Sequence, residues 1–447
     1  MSRFDAIVIG GGISGLGVAS LLSKRGYRTI LLEKEPILGG RTSSFPFRGY
    51  TVDIGLHTIA SYSSSGIGKL LEEVDAGLDL VPITPSLMHY DLDSRQYSRA
   101  TAKERFGETL YKDFKDLAKS VSDMNSNEIN QYHGVSAERW IIERFQNKEL
   151  VEFFKKITGF AGQPMDRVSA GAFLETLHDA FASETTITYP AHDGIKALPD
   201  ALESAIWRYG GEVVTDIRVN EIVHDDGAVK GVRAKIVRPS MIAELEFLAP
   251  RVVFTVPLAK LRQFLPKEKI GVELLEKISK LDAERYYYNG LIAGVARPLL
   301  DDFSGQFFQW TADRGGMDWH AIITIPTYVD PDLAPEGYHL LFADSHGPMP
   351  FGDKSLARAR HRELVDLLVE IWPDFKSNVD WMQWAMYPDI LPLAQIALTG
   401  PNRPGFTLSS LKGMYLAGDA TYLTGSGIGS AVKSAYGCLK EIEQEDL

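Results

Sequence analysis

The run FDAIVIGGGISGLGVASLLSKRGYRTILLEKE, Phe4 to Glu35, constrains this chain more than any other stretch. Four apolar residues, Ala6–Ile9, read as a short strand. Gly10, Gly12 and Gly15 follow as G-x-G-x-x-G, and Ile13 to Lys24 has helical periodicity, with Gly26 as its stop. Thr29–Leu32 reads as a second strand that ends in Glu33. Strand, glycine loop, helix, strand and acid in this order make a dinucleotide site. Gly10 permits the tight turn, Gly12 leaves room for a pyrophosphate, and Gly15 lets helix and strand pack closely. The helix start offers free N–H groups and a positive dipole end to phosphate. Ile13 and Ser14 at that start, and Lys34 beside the acid, join the candidate set. Glu33 can accept hydrogen bonds from both ribose hydroxyls and would repel a 2′-phosphate, which argues against NADP.

The bulk numbers narrow the class. A chain of 447 residues has room for two or three domains at about 150 residues each. Lys+Arg is 47 and Asp+Glu is 59, a net charge of −12, which argues against nucleic acid as a partner. Cys438 is the one cysteine, so neither a disulfide framework nor a multi-cysteine zinc site can form. The histidines form no pair at ligand spacing on a helix face, and no metal is expected. The start MSRFDAIVIG lacks the features of a signal peptide, and no run of about 18 apolar residues suggests a membrane span. A cytoplasmic location is expected, with peripheral contact at the inner face of a membrane left open.

Three further stretches matter. ILGGRTSSF places Gly39, Gly40 and Arg41 just after the acid, so that backbone and one guanidinium can run along a pyrophosphate. RGYTVDIGLHTI follows, with Gly55, Leu56 and His57. Near the C-terminus, MYLAGDATYLTGSGIGSAVKSAYGCL has an apolar run, Met414 to Ala417, then Gly418 and Asp419, then Gly425, Gly427 and Gly429, then a helix.

Together these residues resemble the flavin-containing amine oxidase and phytoene-desaturase-like superfamily, closer to the second branch. GGEVVTDIRVNEIVHDDGAVKGVRA, Gly210 to Ala234, and PRVVFTVPLAKLRQFLP, Pro250 to Pro266, resemble its middle segments. The resemblance implies an α/β fold with α+β inserts. A Rossmann-type FAD-binding domain of the glutathione-reductase-like type would be built from residues 1–61, 189–266 and 389–447. A discontinuous substrate-binding domain would take residues 62–188 and 267–388. It implies FAD, bound non-covalently, because covalent members use a cysteine and Cys438 lies in the final helix. Asp419 would bond the ribityl chain or pyrophosphate, and Val219 would lie against the adenine. Gly429 and the Ser430 and Ala431 N–H groups, at the start of the last helix, would face the flavin C2 carbonyl. His57 would pass close to the flavin as a catalytic acid or base, or serve as a structural histidine. His192 is a weaker candidate.

The amine-oxidising branch sets an aromatic residue from the C-terminal turn before the flavin, where this chain has Gly427. The expectation is therefore an FAD-dependent oxidoreductase that dehydrogenates or isomerises a small apolar isoprenoid or polyene. The alternatives are an amine or amino-acid oxidase, a protoporphyrinogen-oxidase-like enzyme, and a non-catalytic FAD-binding protein. The electron acceptor is open. Tyr286, Tyr287, Tyr288, Phe307, Phe308, Trp310 and Trp319 stand either as pocket lining or as core. Glu104 to Leu177 reads as helical, Leu198 to Tyr209 as a helix, and Ser355 to Trp372 as a helix capped by Ser355.

Overall fold

The computed structural model describes residues 4–446, apart from 56–57, 61–65, 86–87, 100–101, 158–164, 183–186, 237–242, 285, 302–306, 314–318, 347–352, 391–394 and 422–426. At its centre is a five-stranded parallel sheet in the order Glu212–Val214, Thr29–Leu32, Ala6–Ile9, Val252–Phe254, Met414–Leu416. The two N-terminal strands and the Ile13–Lys24 helix between them have the bounds the sequence predicts. The strands read as continuous apolar runs because both faces of the sheet are covered. On one face the helices Ile13–Lys24, Ala197–Arg208 and Gly427–Glu445 enclose Leu16, Leu21, Leu198, Ile206, Val432 and Leu439. On the other, the antiparallel strands Ile217–Asp225, Ala228–Ile236 and Glu244–Leu248 cover Ile7, Ile9 and Phe254. The Val272–Ala283 helix packs into that second cluster through Ile278 and Leu281.

A mostly antiparallel seven-stranded sheet forms a second layer system. Its order is Val379–Ile390, Tyr286–Ala296, Tyr338–His346, His320–Thr324, Gln309–Asp313, Met88–Asp91, Gln96–Arg99. Alternate side chains point to opposite faces of such a sheet. The outer face, with Leu291, Ala293, Leu341, Ile323 and Trp310, packs on the Lys354–Ile371 helix through Leu364, Leu367 and Leu368. That helix is capped by Asp353, whose side chain accepts from the Leu356 N–H, so the cap lies two residues before the expected Ser355. The inner face carries Leu340, Phe342, Ile292 and Trp381, which pack against Tyr50 and Val52 of the Thr42–Phe47/Tyr50–Gly55 hairpin.

The region expected to be helical divides into Ala102–Ser122, Ser126–Asn130, Ala137–Phe145, Lys148–Ile157 and Ala170–Ala182. They close around Leu117, Trp140, Phe153, Phe154 and Phe173. No helix among the described residues is long and apolar enough to cross a membrane.

Candidate cofactor and active site

All five parallel strands end at the same edge, in Gly10, Glu33, the Val214 turn, Thr255 and the Ala417-Gly418-Asp419 segment. In such sheets ligands bind in the crevice outside the carboxyl ends. The glycine loop has the geometry its spacing predicts. Gly10 has φ +107°, open to glycine at little cost. A Cβ on Gly15 would overlap the Gly10 carbonyl oxygen, so only glycine lets this helix sit on its strand. A Cβ on Gly12 would have no described atom within 4 Å, so the space before it is open. Ile13 and Ser14 turn their side chains inward; Ser14 Oγ donates to the Ala431 carbonyl at 3.2 Å. What they present at the helix start is backbone N–H.

Glu33 is held in place by backbone. One carboxylate oxygen accepts from Gly11 N–H at 2.6 Å and the other from Glu35 N–H at 2.9 Å. Each oxygen keeps lone-pair capacity for a ribose hydroxyl. Lys34 is exposed and turned to Glu35. Gly39 donates to the Gly11 carbonyl at 2.7 Å and pairs with Gly12, so the G-G-R segment is stitched to the glycine loop. Gly40 lies over Gly12, and Arg41 Nη2 meets Asp419 Oδ2 at 2.6 Å. The two ends of the chain, 378 residues apart, thus close on one another at the mouth of the crevice. Gly55 pairs with Thr42 and sits against the Arg41 carbonyl. Leu56 and His57 lie outside the described residues. Val219 is buried in the core cluster on the second face of the sheet, on the strand that leaves its Glu33 end.

The last helix starts at Gly427, three residues before the expected Ser430. The N–H groups that stand outside the helical ladder are therefore those of residues 427–430, and the Ala431 N–H falls within it. Gly429 and Ser430 belong to that first turn. Ser434, one turn on, fixes the strand end by accepting from Gly418 N–H at 2.6 Å and bonding Thr421 Oγ1 at 2.9 Å. Gly17 of the first helix faces Ala435 of the last, so the two helices lie side by side with both N-termini at the crevice. Cys438 is wholly buried, and burial pushes its thiol up. His192 is exposed on its turn.

Several residues escaped the sequence reading. Thr255 Oγ1 donates beneath the glycine loop, to the Ile9 carbonyl at 2.9 Å and the Gly10 carbonyl at 3.0 Å. Asp53 is wholly buried and accepts from Ser44 Oγ at 2.7 Å, Tyr189 Oη at 2.7 Å and Ile195 N–H at 3.1 Å. It ties the hairpin after Arg41 to the 187–196 segment, and burial with the Asp53 charge pushes the Tyr189 phenol well up. The inner face of the seven-stranded sheet turns polar away from the hairpin, where register places His89, Thr311, Asp313, His320 and Asp344. His89 Nδ1 meets Thr311 Oγ1 at 3.0 Å, His320 stacks on His346 at 5.3 Å, and burial holds His346 well below the usual imidazole range. Gly290 has no Cβ where the Asp344 carboxylate lies. Trp310 and Trp319 are on the opposite, outer face and belong to its core, as does the Phe307 ring; Phe308 packs on Tyr189. The side chains of Tyr286, Tyr287 and Tyr288 lie outside the described atoms.

The crevice, two helix N-termini, an acid at the end of the second strand and the Arg41–Asp419 closure fit an extended dinucleotide. The sequence pattern of the flavin containing amine oxidoreductase family matches residues 13–438. The chain belongs to this family. FAD is the cofactor of this flavin amine oxidoreductase, and the open position at Gly12 and the lone pairs left on Glu33 suit it. The chain is 24% identical over 389 residues to prolycopene isomerase 1, chloroplastic, of an Oncidium hybrid cultivar, a match covering 76% of this chain and 63% of that protein. It spans less than two-thirds of that relative's length. An oxidoreductase from Methanosarcina mazei has the same fold, with TM-score 0.76, 20% identity, and 98% and 100% of the two chains covered. Putrescine oxidase bound to putrescine superposes with TM-score 0.67 at 14% identity over the full length of both chains.

Proposed function

We propose that this flavin amine oxidoreductase dehydrogenates, or isomerises with the help of its flavin, a small apolar polyene or isoprenoid. The supporting observation is at Gly427. Where the amine-oxidising branch sets an aromatic ring, a Cβ would have no described atom within 4 Å. The next residue, Ile428, is buried in the helix-side core and cannot stand in for the ring. The space there suits a bulky substrate, and a prolycopene isomerase is among the relatives.

FAD, when bound, supplies the two-electron redox chemistry. The chain's residues hold and orient. Glu33 would take the ribose hydroxyls, the Gly12–Gly15 helix start the pyrophosphate, and Arg41 and Asp419 the join between the two halves. Gly39, Gly40 and Gly55 give the backbone close approach. The N–H groups of residues 427–430 would face the flavin carbonyl, where a helix start favours negative charge. His57 would handle the proton: His57→Ala should retain FAD and slow turnover, and a wild-type rate would return it to a structural role. The division into cofactor segments 1–61, 189–266 and 389–447 and substrate segments 62–188 and 267–388 remains part of this reading. All five strands of the parallel sheet fall in the first set.

A second reading, amine oxidation, is favoured by Asp313 and Asp344 on the inner sheet face, since buried carboxylates suit an ammonium group. Anaerobic bleaching of the flavin band separates the two. Reduction by a solubilised polyene panel and not by amines supports the first reading; reduction by amines alone overturns it. The electron acceptor and contact with a membrane surface belong to the same trial, by reoxidation with oxygen or a quinone and by liposome flotation.

A further inference from the structure

Arg403 is wholly buried, and the cofactor motifs do not include it. Its Nε donates to the Leu398 carbonyl at 2.7 Å and its Nη1 to the Asp419 carbonyl at 3.5 Å. It therefore bridges the 396–403 turns and the segment that closes the crevice. Asp419 is gripped twice, by Arg41 on its carboxylate and by Arg403 on its main chain. Burial pulls the guanidinium down to about 10, against the charges of Asp419 and Glu175, so it stays protonated at neutral pH. A full charge in the interior is screened far less than one at the surface. Lys433, two turns into the last helix, is partly exposed and paired with Glu175 at 3.3 Å, so water and a carboxylate offset it.

We propose that Arg403 is a positioning residue that clamps the Gly418–Thr421 turn from beneath and, by its buried charge, raises the reduction potential of the bound flavin. Reduced flavin carries an extra negative charge, and a buried cation behind the closing turn stabilises that form over the oxidised one. This rests on FAD occupying the crevice.

The test uses the FAD-loaded chain, with Arg403→Gln and Arg403→Lys compared by midpoint potential, FAD dissociation constant and melting temperature of the apoprotein. In R403Q, the reduced-to-oxidised ratio at fixed potential should fall at least tenfold, about 30 mV for a two-electron couple, and FAD should bind at least tenfold more weakly. R403K keeps the charge but cannot span both carbonyls. Its potential should return to within threefold in that ratio while FAD binding stays weakened. R403Q with the wild-type potential, however weakly it holds FAD, would overturn the charge role and leave a merely structural arginine. Should R403Q not fold, Glu175→Gln decides. That side chain is about one-third exposed, and removing its charge, which offsets Arg403, should raise the potential. An unchanged or lower value overturns the proposal. A wild-type chain that takes up no FAD on reconstitution would instead overturn the cofactor assignment beneath it, a failure visible in the absorbance spectrum before any potential is measured.

Discussion

Glu33 does two jobs with one carboxylate. It braces the glycine loop through Gly11 and keeps lone-pair capacity for the ribose proposed to lie there. Glu33→Ala should therefore weaken FAD retention by more than the lost ribose bonds alone, at least tenfold after dialysis. Unchanged flavin content would count against the ribose role. His361 gives a pH-dependent counterpart far from the crevice. It is buried on the Lys354–Ile371 helix, stacked on Trp384 at 4.1 Å, and burial pushes its imidazole down to about 4. An unfolded histidine titrates near 6.5. Above pH 6.5 both states are neutral and nothing is lost. As pH falls from 6.5 toward 4 the unfolded chain takes up the proton first, so stability declines across that window. At pH 5 the loss is about 2 kcal/mol. His361→Phe keeps the stacking and removes the titration. Urea unfolding at pH 7 and pH 5 should show a smaller acid loss in the variant, and equal losses would refute the assignment.

Asp53 acts between elements. Three donors from three places, Ser44, Tyr189 and Ile195, converge on one wholly buried carboxylate. Asp53→Ala leaves all three without an acceptor, at a cost of about 3 kcal/mol or more. A loss below about 1 kcal/mol would mean that water replaces the carboxylate and the hub is not closed. The hairpin it anchors carries the chain from Arg41 to Gly55, so loosening it should also raise the FAD dissociation constant. The side chains of the seven-stranded sheet make the same point. Read alone, Trp310 stands as pocket lining or as core; register decides for core by putting it on the outer face against Trp372, while Asp313, three positions on, faces inward.

The molecule brings its first helix, its last helix and the ends of all five parallel strands to one crevice. A ligand that bridges them binds the folded chain alone and stabilises it by mass action, about 2.7 kcal/mol at a hundred times its dissociation constant. The melting temperature of apoprotein should rise with added FAD and level off only slowly. A melting temperature indifferent to FAD would contradict the crevice as the cofactor site.

What could be read along the chain is what neighbours in sequence decide. The first strand, helix and second strand have their expected bounds because strand, turn and helix signals lie within thirty residues and the glycines answer to local geometry. The G-G-R segment and Gly418-Asp419 were legible as motifs. That they meet was implied by a resemblance, and the ion pair of Arg41 with Asp419 realises it. Helix starts were less legible. Asp353 and Gly427 each begin a helix ahead of the expected residue, since a cap depends on where the incoming chain turns. Thr255, Asp53 and Arg403 carry no pattern at all. Each earns its place through partners brought near by folding: Gly10 for the first, Tyr189 for the second, the Asp419 main chain for the third. The sequence alone determined which cofactor chemistry the chain can hold, because anion-binding turns are local. Only the tertiary structure decided which buried charges surround it, because burial is a property of the assembled whole.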